Sequence, residues 1–217
     1  MATAGRGAHN KGFSYERRIA KILSKAFHTN VQRTGGSGAY RGIDTEYNQS
    51  EIHGENGFVG DLFFPKNHPM SVFNYELKNH DNVRFNQFFN SNGEIPSFVE
   101  QVTTDSNRLG GVGHSVPCLI VHIKREDDYV IIPFENHTYQ KLAPLGQTMI
   151  TVLSYQNERT TMNYHYQVIV TTLDKFTQLD PMTTAKYYKN LDWNKFNHHL
   201  PKQKDVNVNN LVKDIGS

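Results

Sequence analysis

Asp61, Glu76 and Lys78 have the side-chain types and spacing to cut a phosphodiester bond. Asp61 interrupts an otherwise apolar run from Val59 to Phe64. Pro65, Asn67 and Pro69 then supply turn residues, and Val72 to Lys78 is rich in strand formers. On a strand successive side chains point to opposite faces, so Phe73, Tyr75 and Leu77 share one face while Asn74, Glu76 and Lys78 share the other. If the two strands pair, Asp61 approaches Glu76, and two carboxylates at close range repel unless a cation lies between them. Mg²⁺ is the natural occupant, because it takes one or two carboxylates, keeps several waters and leaves room for phosphate oxygens. The triplet Glu76-Leu77-Lys78 is the only Asp/Glu-x-Lys in the chain, but with 21 acids and 14 lysines about one is expected by chance. A solvated Glu/Lys face on an edge strand would account for it alone. Its weight comes from the acid in the preceding apolar strand, a basic helix upstream and an Arg/Gly/Ser loop between them.

The elements that must position these residues lie on both sides. From Tyr15 the apolar residues Tyr15, Ile19, Ile22, Leu23, Ala26 and Phe27 follow the 3.6-residue period of an amphipathic helix, with Ser14 placed to cap it. The opposite face carries Arg17, Arg18, Lys21 and Lys25. Glu16 is the only acid in the first 43 residues. It has two readings: a helix-dipole partner in the first turn, or a third carboxylate facing Asp61 and Glu76. Residues 1–12 are small, polar and glycine-bearing, and are expected to form a flexible basic arm whose Arg6 and Lys11 reach phosphate. A short strand at Val31–Thr34 overlaps the loop Gln32–Gly42. There glycines allow backbone N–H groups close to a phosphate, and Arg33, Ser37 and Arg41 add donors. No Gly-Lys-Ser/Thr follows, which excludes a Walker A loop. Ile43 to Gly57 reads as an acidic, polar insertion.

Downstream, Phe85, Phe88 and Phe89 are assigned to a core or to a dimer face. Pro96–Arg108 reads as a helix with Phe98, Val99 and Val102 on its apolar side and Gln101, Asp105 and Arg108 elsewhere. Val116–Lys124 and Tyr129–Phe134 form an antiparallel hairpin around Arg125–Asp128. The order of elements predicts an α/β fold with a central mixed β-sheet flanked by helices. Past His137 the pattern weakens, with strands at Met149–Leu153 and Tyr164–Leu173. Pro181–Ser217 is rich in Asn and Lys and holds Trp193, His198 and His199. Those histidines lack a Cys or carboxylate at zinc-ligand spacing. The expected organisation is an arm over 1–12, a core over 13–135 with an insertion at 43–57, and a C-terminal extension over 136–217 that packs on the core.

Bulk properties narrow the function classes. A hydrophobic fraction of 37% with 12% aromatic residues suffices for a core. A mean hydropathy of −0.61, with no apolar run near the 18 or so residues a span requires, argues against a membrane protein. The first residues carry no apolar signal, and the lone Cys118 permits no internal disulfide, so an intracellular, reducing setting is expected. Cys118 itself reads as a packing residue. The net charge of +2 hides an asymmetry: residues 1–41 hold eight Lys/Arg against one acid, the remainder fifteen against twenty. A basic N-terminal end faces a polyanion, of which nucleic acid is the commonest.

Glu16-Arg17 on the first helix, Arg33 with Gly35-Gly36-Ser37-Gly38, Gly60-Asp61 on one strand and Glu76-Leu77-Lys78 on the next resemble the PD-(D/E)xK nuclease superfamily. Within it they look most like Holliday junction resolvases of the archaeal type, which also occur in viruses. The resemblance covers about residues 11 to 135. It implies a restriction-endonuclease-like core in which Asp61, Glu76 and the Leu77 carbonyl bind Mg²⁺, with Mn²⁺ as a substitute. It further implies Lys78 as the catalytic lysine and Glu16 as an additional acid of the active site and a metal ligand. Arg17, Arg33 and Ser37 match positions where the family contacts DNA or assists cleavage, and the basic helix, arm and loop add Lys11, Arg18, Lys21, Lys25 and Arg41 as DNA contacts. The substrate implied is branched DNA, a four-way junction above all, cleaved by a symmetric homodimer in recombination or replication, with a phage or viral source. Two departures stand out: the stretch from Ser37 to Asp61 is longer than the family pattern, and Gly60 replaces the proline before Asp61. The alternatives are another DNase of the same fold (restriction-type, repair or exonuclease) and a DNA-binding module without turnover.

Overall fold

The N-terminal amphipathic period produces one long helix, α1 (Ala4–Ala26), which buries Tyr15, Ile19 and Leu23 against a sheet. This structure, a computed structural model, describes residues 4–34, 60–157 and 161–194, with side chains from residue 11 onward. The helix starts ten residues before the expected cap, so Ser14 lies exposed within it and the segment 4–12, read above as an arm, continues it. Gly5, Gly7 and Gly12 obscure this in the sequence, since each disfavours a helix by about 1 kcal/mol relative to alanine. Two side chains near Gly12 reach other elements: the Lys11 ammonium is 2.7 Å from Asp81, and the Phe13 ring lies under the Arg33 guanidinium at 4.4 Å.

Seven strands form a single sheet in the order β1-β2-β3-β4-β5-β7-β6. They are β1 (Gln32–Arg33), β2 (Leu62–Phe63), β3 (Phe73–Asn79), β4 (Val116–His122), β5 (Asp128–Pro133), β6 (Thr148–Gln156) and β7 (Asn163–Thr172). The helices after α1 are α2 (Gln87–Asn90), α3 (Ile95–Arg108), α4 (Asn136–Leu142), α5 (Leu173–Phe176) and α6 (Pro181–Lys189). β3 and β4 run parallel, and every other pairing is antiparallel. A parallel pair needs a crossover, and α3 lies on that crossover, packed on β3 and β4. The result is a mixed sheet flanked by helices, the restriction-endonuclease-like core.

The sheet does not stop at residue 135. β7 pairs with β5 from Tyr129↔Thr172 to Pro133↔Val168, and β6 closes on β7 along its whole length. The chain beyond is anchored by two buried aromatics: the Tyr188 hydroxyl donates to the Pro133 carbonyl at 2.8 Å, and the Trp193 indole N–H to Ser115 at 2.9 Å. Of the three phenylalanines before α3, Phe88 is buried and Phe85 packs against Tyr129, which leaves only Phe89 exposed. Cys118 is fully buried. No helix among the described residues is long and apolar enough to cross a membrane.

β3 separates two packing layers. On one side Tyr75 stacks on Phe64, while Phe73 meets Phe176 and Tyr188; Phe27 of the α1 end closes the same layer against Phe64 and Phe176. On the other side Asn74, Glu76 and Lys78 face α3.

Candidate active site

The antiparallel register Leu62↔Tyr75 places Asp61 opposite Glu76, at the point where β2 gives way to a bend. Asp61 is tied to β3 twice: its N–H donates to the Tyr75 carbonyl at 2.7 Å, and its Oδ2 accepts the Leu77 N–H at 2.7 Å. The β1 end holds the same corner, because the Thr34 N–H donates to the Asp61 carbonyl and the Thr34 hydroxyl to the Gly60 carbonyl. Gly60 sits at φ +84, and a Cβ there would collide with Asn74 Oδ1. Proline, locked near φ −65, cannot adopt that conformation. The departure at Gly60 is therefore how this chain turns Asp61 toward Glu76.

Glu76 is only 4% exposed. Its Oε1 accepts from Lys78 Nζ at 2.7 Å and from Gln101 Nε2 at 2.8 Å, and Lys78 Nζ also donates to Gln101 Oε1 at 2.7 Å. Gln101 of α3 thus closes a three-membered ring of hydrogen bonds with the carboxylate and the ammonium. The Phe98 ring one turn earlier lies 5.4 Å from Lys78 Nζ. Sequence reading put Gln101 on a polar helix face and gave it no role, since nothing local to α3 says which strand that face meets.

The electrostatics are those of acids crowded into a poorly solvated corner. Burial, then the Glu76 charge, raises the Asp61 carboxyl to about 7, against the stabilising Leu77 N–H. Burial also raises Glu76, with Lys78 acting against it. Glu16 adds a like-charge push on both. Glu16 is not in a first helical turn but twelve residues into α1, which removes the dipole reading, and its Oε2 accepts from Arg33 Nε at 2.7 Å. Among the described residues no three His, Cys, Asp or Glu side chains enclose an ion by themselves.

The basic residues divide into two groups. Arg17, Lys21, Lys25 and Arg33 line one open groove of about 670 Å³ between α1 and β1. Arg17, Lys21 and Lys25 make no ion pair among the described residues. Arg18 instead points to β5, where it grips Asp128 with both terminal nitrogens at 2.7 and 2.8 Å, beside His122. Lys11 pairs with Asp81, away from the groove. Ser37, Arg41 and the insertion at 43–57 lie outside the described residues, as do His198 and His199.

A family model described as "Phage putative PDDEXK endonuclease" matches residues 7–186. The chain belongs to this family. The match to these phage PD-(D/E)xK endonucleases runs well beyond residue 135 and takes in β6, β7 and most of α6, in keeping with the continuous sheet. No curated protein and no solved structure matches the chain. Membership assigns the nuclease class to the protein.

Proposed function

We propose that the protein is a divalent-metal-dependent DNA endonuclease that cuts branched DNA, a Holliday junction resolvase, with Asp61, Glu76, Lys78 and Glu16 as its active-site residues. The observation that carries this reading is the pairing of Asp61 with Glu76, two half-buried to buried carboxylates with a lysine hydrogen-bonded to one of them, next to a groove lined by four basic side chains. The donor set fits a hard divalent cation: burial and then the neighbouring Glu76 charge raise the Asp61 carboxyl, and such an ion offsets the uncompensated negative charge. Asp61, Glu76 and the Leu77 carbonyl would hold Mg²⁺, or Mn²⁺ in its place, with Glu16 reaching it once released from Arg33. When bound, the ion polarises a phosphoryl oxygen and acidifies a water.

The chain's own residues do the rest. Lys78 presents a compact ammonium, fixed by Glu76 and Gln101, to the negative charge that grows on the phosphate in the transition state. Gln101 is a positioning residue that keeps this ammonium aimed. Arg33, stacked on Phe13 and bonded to Glu16, stands between the acids and the groove, where a phosphate can compete for its guanidinium. Arg17, Lys21 and Lys25 attract the backbone without reading bases. Cutting a junction symmetrically takes two such sites, and a C2 homodimer supplies them. Phe89, 57% exposed, is the one of the three phenylalanines still available to an interface.

The test compares wild type with Asp61→Ala on a synthetic four-way junction and the matching linear duplex, with Mg²⁺ or EDTA. Metal-dependent paired nicks confined to the junction and lost in the variant are expected. Equal cutting of both substrates leaves a nuclease without junction preference. Binding without cutting, unaltered by the variant, leaves a DNA-binding module.

A further inference from the structure

A second basic concavity lies beyond the far end of α1, and neither the sequence motifs nor the active site accounts for it. It is an open cleft of about 590 Å³ between the β2–β3 turn and α6. Lys66, Asn67, His68 and Ser71 line it from the turn, and Lys186, Lys189 and Asn190 from the other side. Among the described residues no acid lines it. The α6 sequence sets this up. Thr184, Ala185 and Tyr188 are buried, with Tyr188 docked on β3 and β5 through Phe73 and the Pro133 carbonyl, so Met182, Lys186 and Lys189, at i, i+4 and i+7, form the outward stripe. Lys186 and Lys189 make no ion pair among the described residues. Lysines in a last helical turn also complement the helix dipole. That role asks nothing of Lys66, which comes from another element and faces the same space.

The groove beside the active site runs along the second half of α1, and the cleft lies past the end of that helix, linked to it by one ring contact. Arg17, Lys21 and Lys25 rise one turn at a time along α1, about 12 Å in all, which spans three to four base-pair steps of 3.4 Å. The helix ends at Ala26, and the ring of the next residue, Phe27, packs on His68 at 6.3 Å. His68 belongs to the second cleft. Burial holds the His68 imidazole below its ordinary pKa, against a hydrogen bond with the Phe27 backbone, and its Nδ1 accepts the Met70 N–H.

We propose that Lys66, Lys186 and Lys189 form a second phosphate-binding site for duplex DNA, reached along α1, so that an arm of the substrate is held from the active-site groove to the cleft at α6. This rests on the DNA endonuclease reading above. It gives the C-terminal part of the chain a role in gripping the nucleic acid rather than in cutting it.

The experiment measures binding of a linear DNA duplex over a range of salt concentrations, in the absence of metal, for wild type, Lys186→Glu/Lys189→Glu and Lys186→Gln/Lys189→Gln. Lys21→Glu/Lys25→Glu serves as the groove control, and circular dichroism checks each fold. Both side chains at 186 and 189 are exposed, so their replacement leaves the core intact. Loss of two phosphate contacts should lower the slope of log K against log salt by about 2 and weaken binding roughly tenfold near physiological salt. The glutamine pair should give the same slope change with a smaller loss of affinity. An unchanged slope and affinity in both α6 variants, with binding weakened in the α1 control, overturns the second site and leaves the endonuclease standing. A wild-type protein that binds no duplex at low salt overturns both.

Discussion

The two faces of β3 are buried to nearly the same degree and are held by different physics. Phe73 and Tyr75 sit among rings, with centroids 4.9 to 6.1 Å from Phe64, Phe176 and Tyr188. Asn74 and Glu76, on the reverse side, are 5% and 4% exposed and depend on hydrogen bonds to Ser106 and Gln101 of α3 and to Lys78 of the same strand. The aromatic face stabilises the fold by removing apolar area from water. The polar face does the reverse in the metal-free protein, because it keeps two acids in a corner that raises the pKa of both. A buried acid pair that packing does not need is what a cation-dependent site requires.

That contrast can be broken from either side. The largest effect is expected from Tyr75→Ala, which empties a fully buried ring position and removes the hydroxyl bond to Met70; it should destabilise by about 3–5 kcal/mol in denaturant unfolding. Lys78→Ala should destabilise by less than Tyr75→Ala, since the Glu76 left behind can take up a proton, yet cost cleavage 100- to 1000-fold, about 3–4 kcal/mol of barrier, in single-turnover assays at saturating DNA. If instead Lys78→Ala unfolds the protein and Tyr75→Ala does not, the division of labour across β3 is reversed.

The pH dependence sharpens the comparison. The Asp61 carboxyl is raised from 3.8 to about 7 in the folded protein, so between those values the native state holds a proton that the unfolded chain has released. Stability of the metal-free protein should therefore fall as pH rises from about 4 to 7 and level off above, by a few kcal/mol at most. Asp61→Asn should flatten that slope, and a slope equal to wild type would show the carboxyl to be solvated. The smallest effect is expected at Gln101: Gln101→Ala should slow cleavage roughly tenfold, the loss of one charge-assisted positioning contact, with DNA affinity unchanged in the same titrations.

Much of the site was legible because its logic is local. Alternation along a strand puts Glu76 and Lys78 on one face wherever that strand lies, and an acid in an apolar run marks its neighbour. The period of α1 is equally local, which is why its buried residues Tyr15, Ile19 and Leu23 were predictable while its glycine-laden first turns were not. The β4–β5 hairpin followed from two apolar runs and a charged turn, and it pairs as expected from Leu119↔Ile131 to His122↔Asp128.

The sequence by itself determined which residues could form an acid–lysine site and that the basic charge collects at one end. Only the tertiary structure decided who meets whom across long stretches of chain. Arg18 and Arg17 are neighbours on one basic helix face, yet Arg18 is taken by Asp128, 110 residues away, while Arg17 lines the groove. Gln101 reaches Glu76 only because α3 crosses over the parallel β3–β4 pair, and Lys66 faces Lys186 only because Tyr188 pins α6 beside the β2–β3 turn. Periodicity is set by bond geometry within a few residues. These encounters are set by the path of the whole chain, which buries β3 on both sides and leaves each charged side chain to find a partner among whatever the fold brings near.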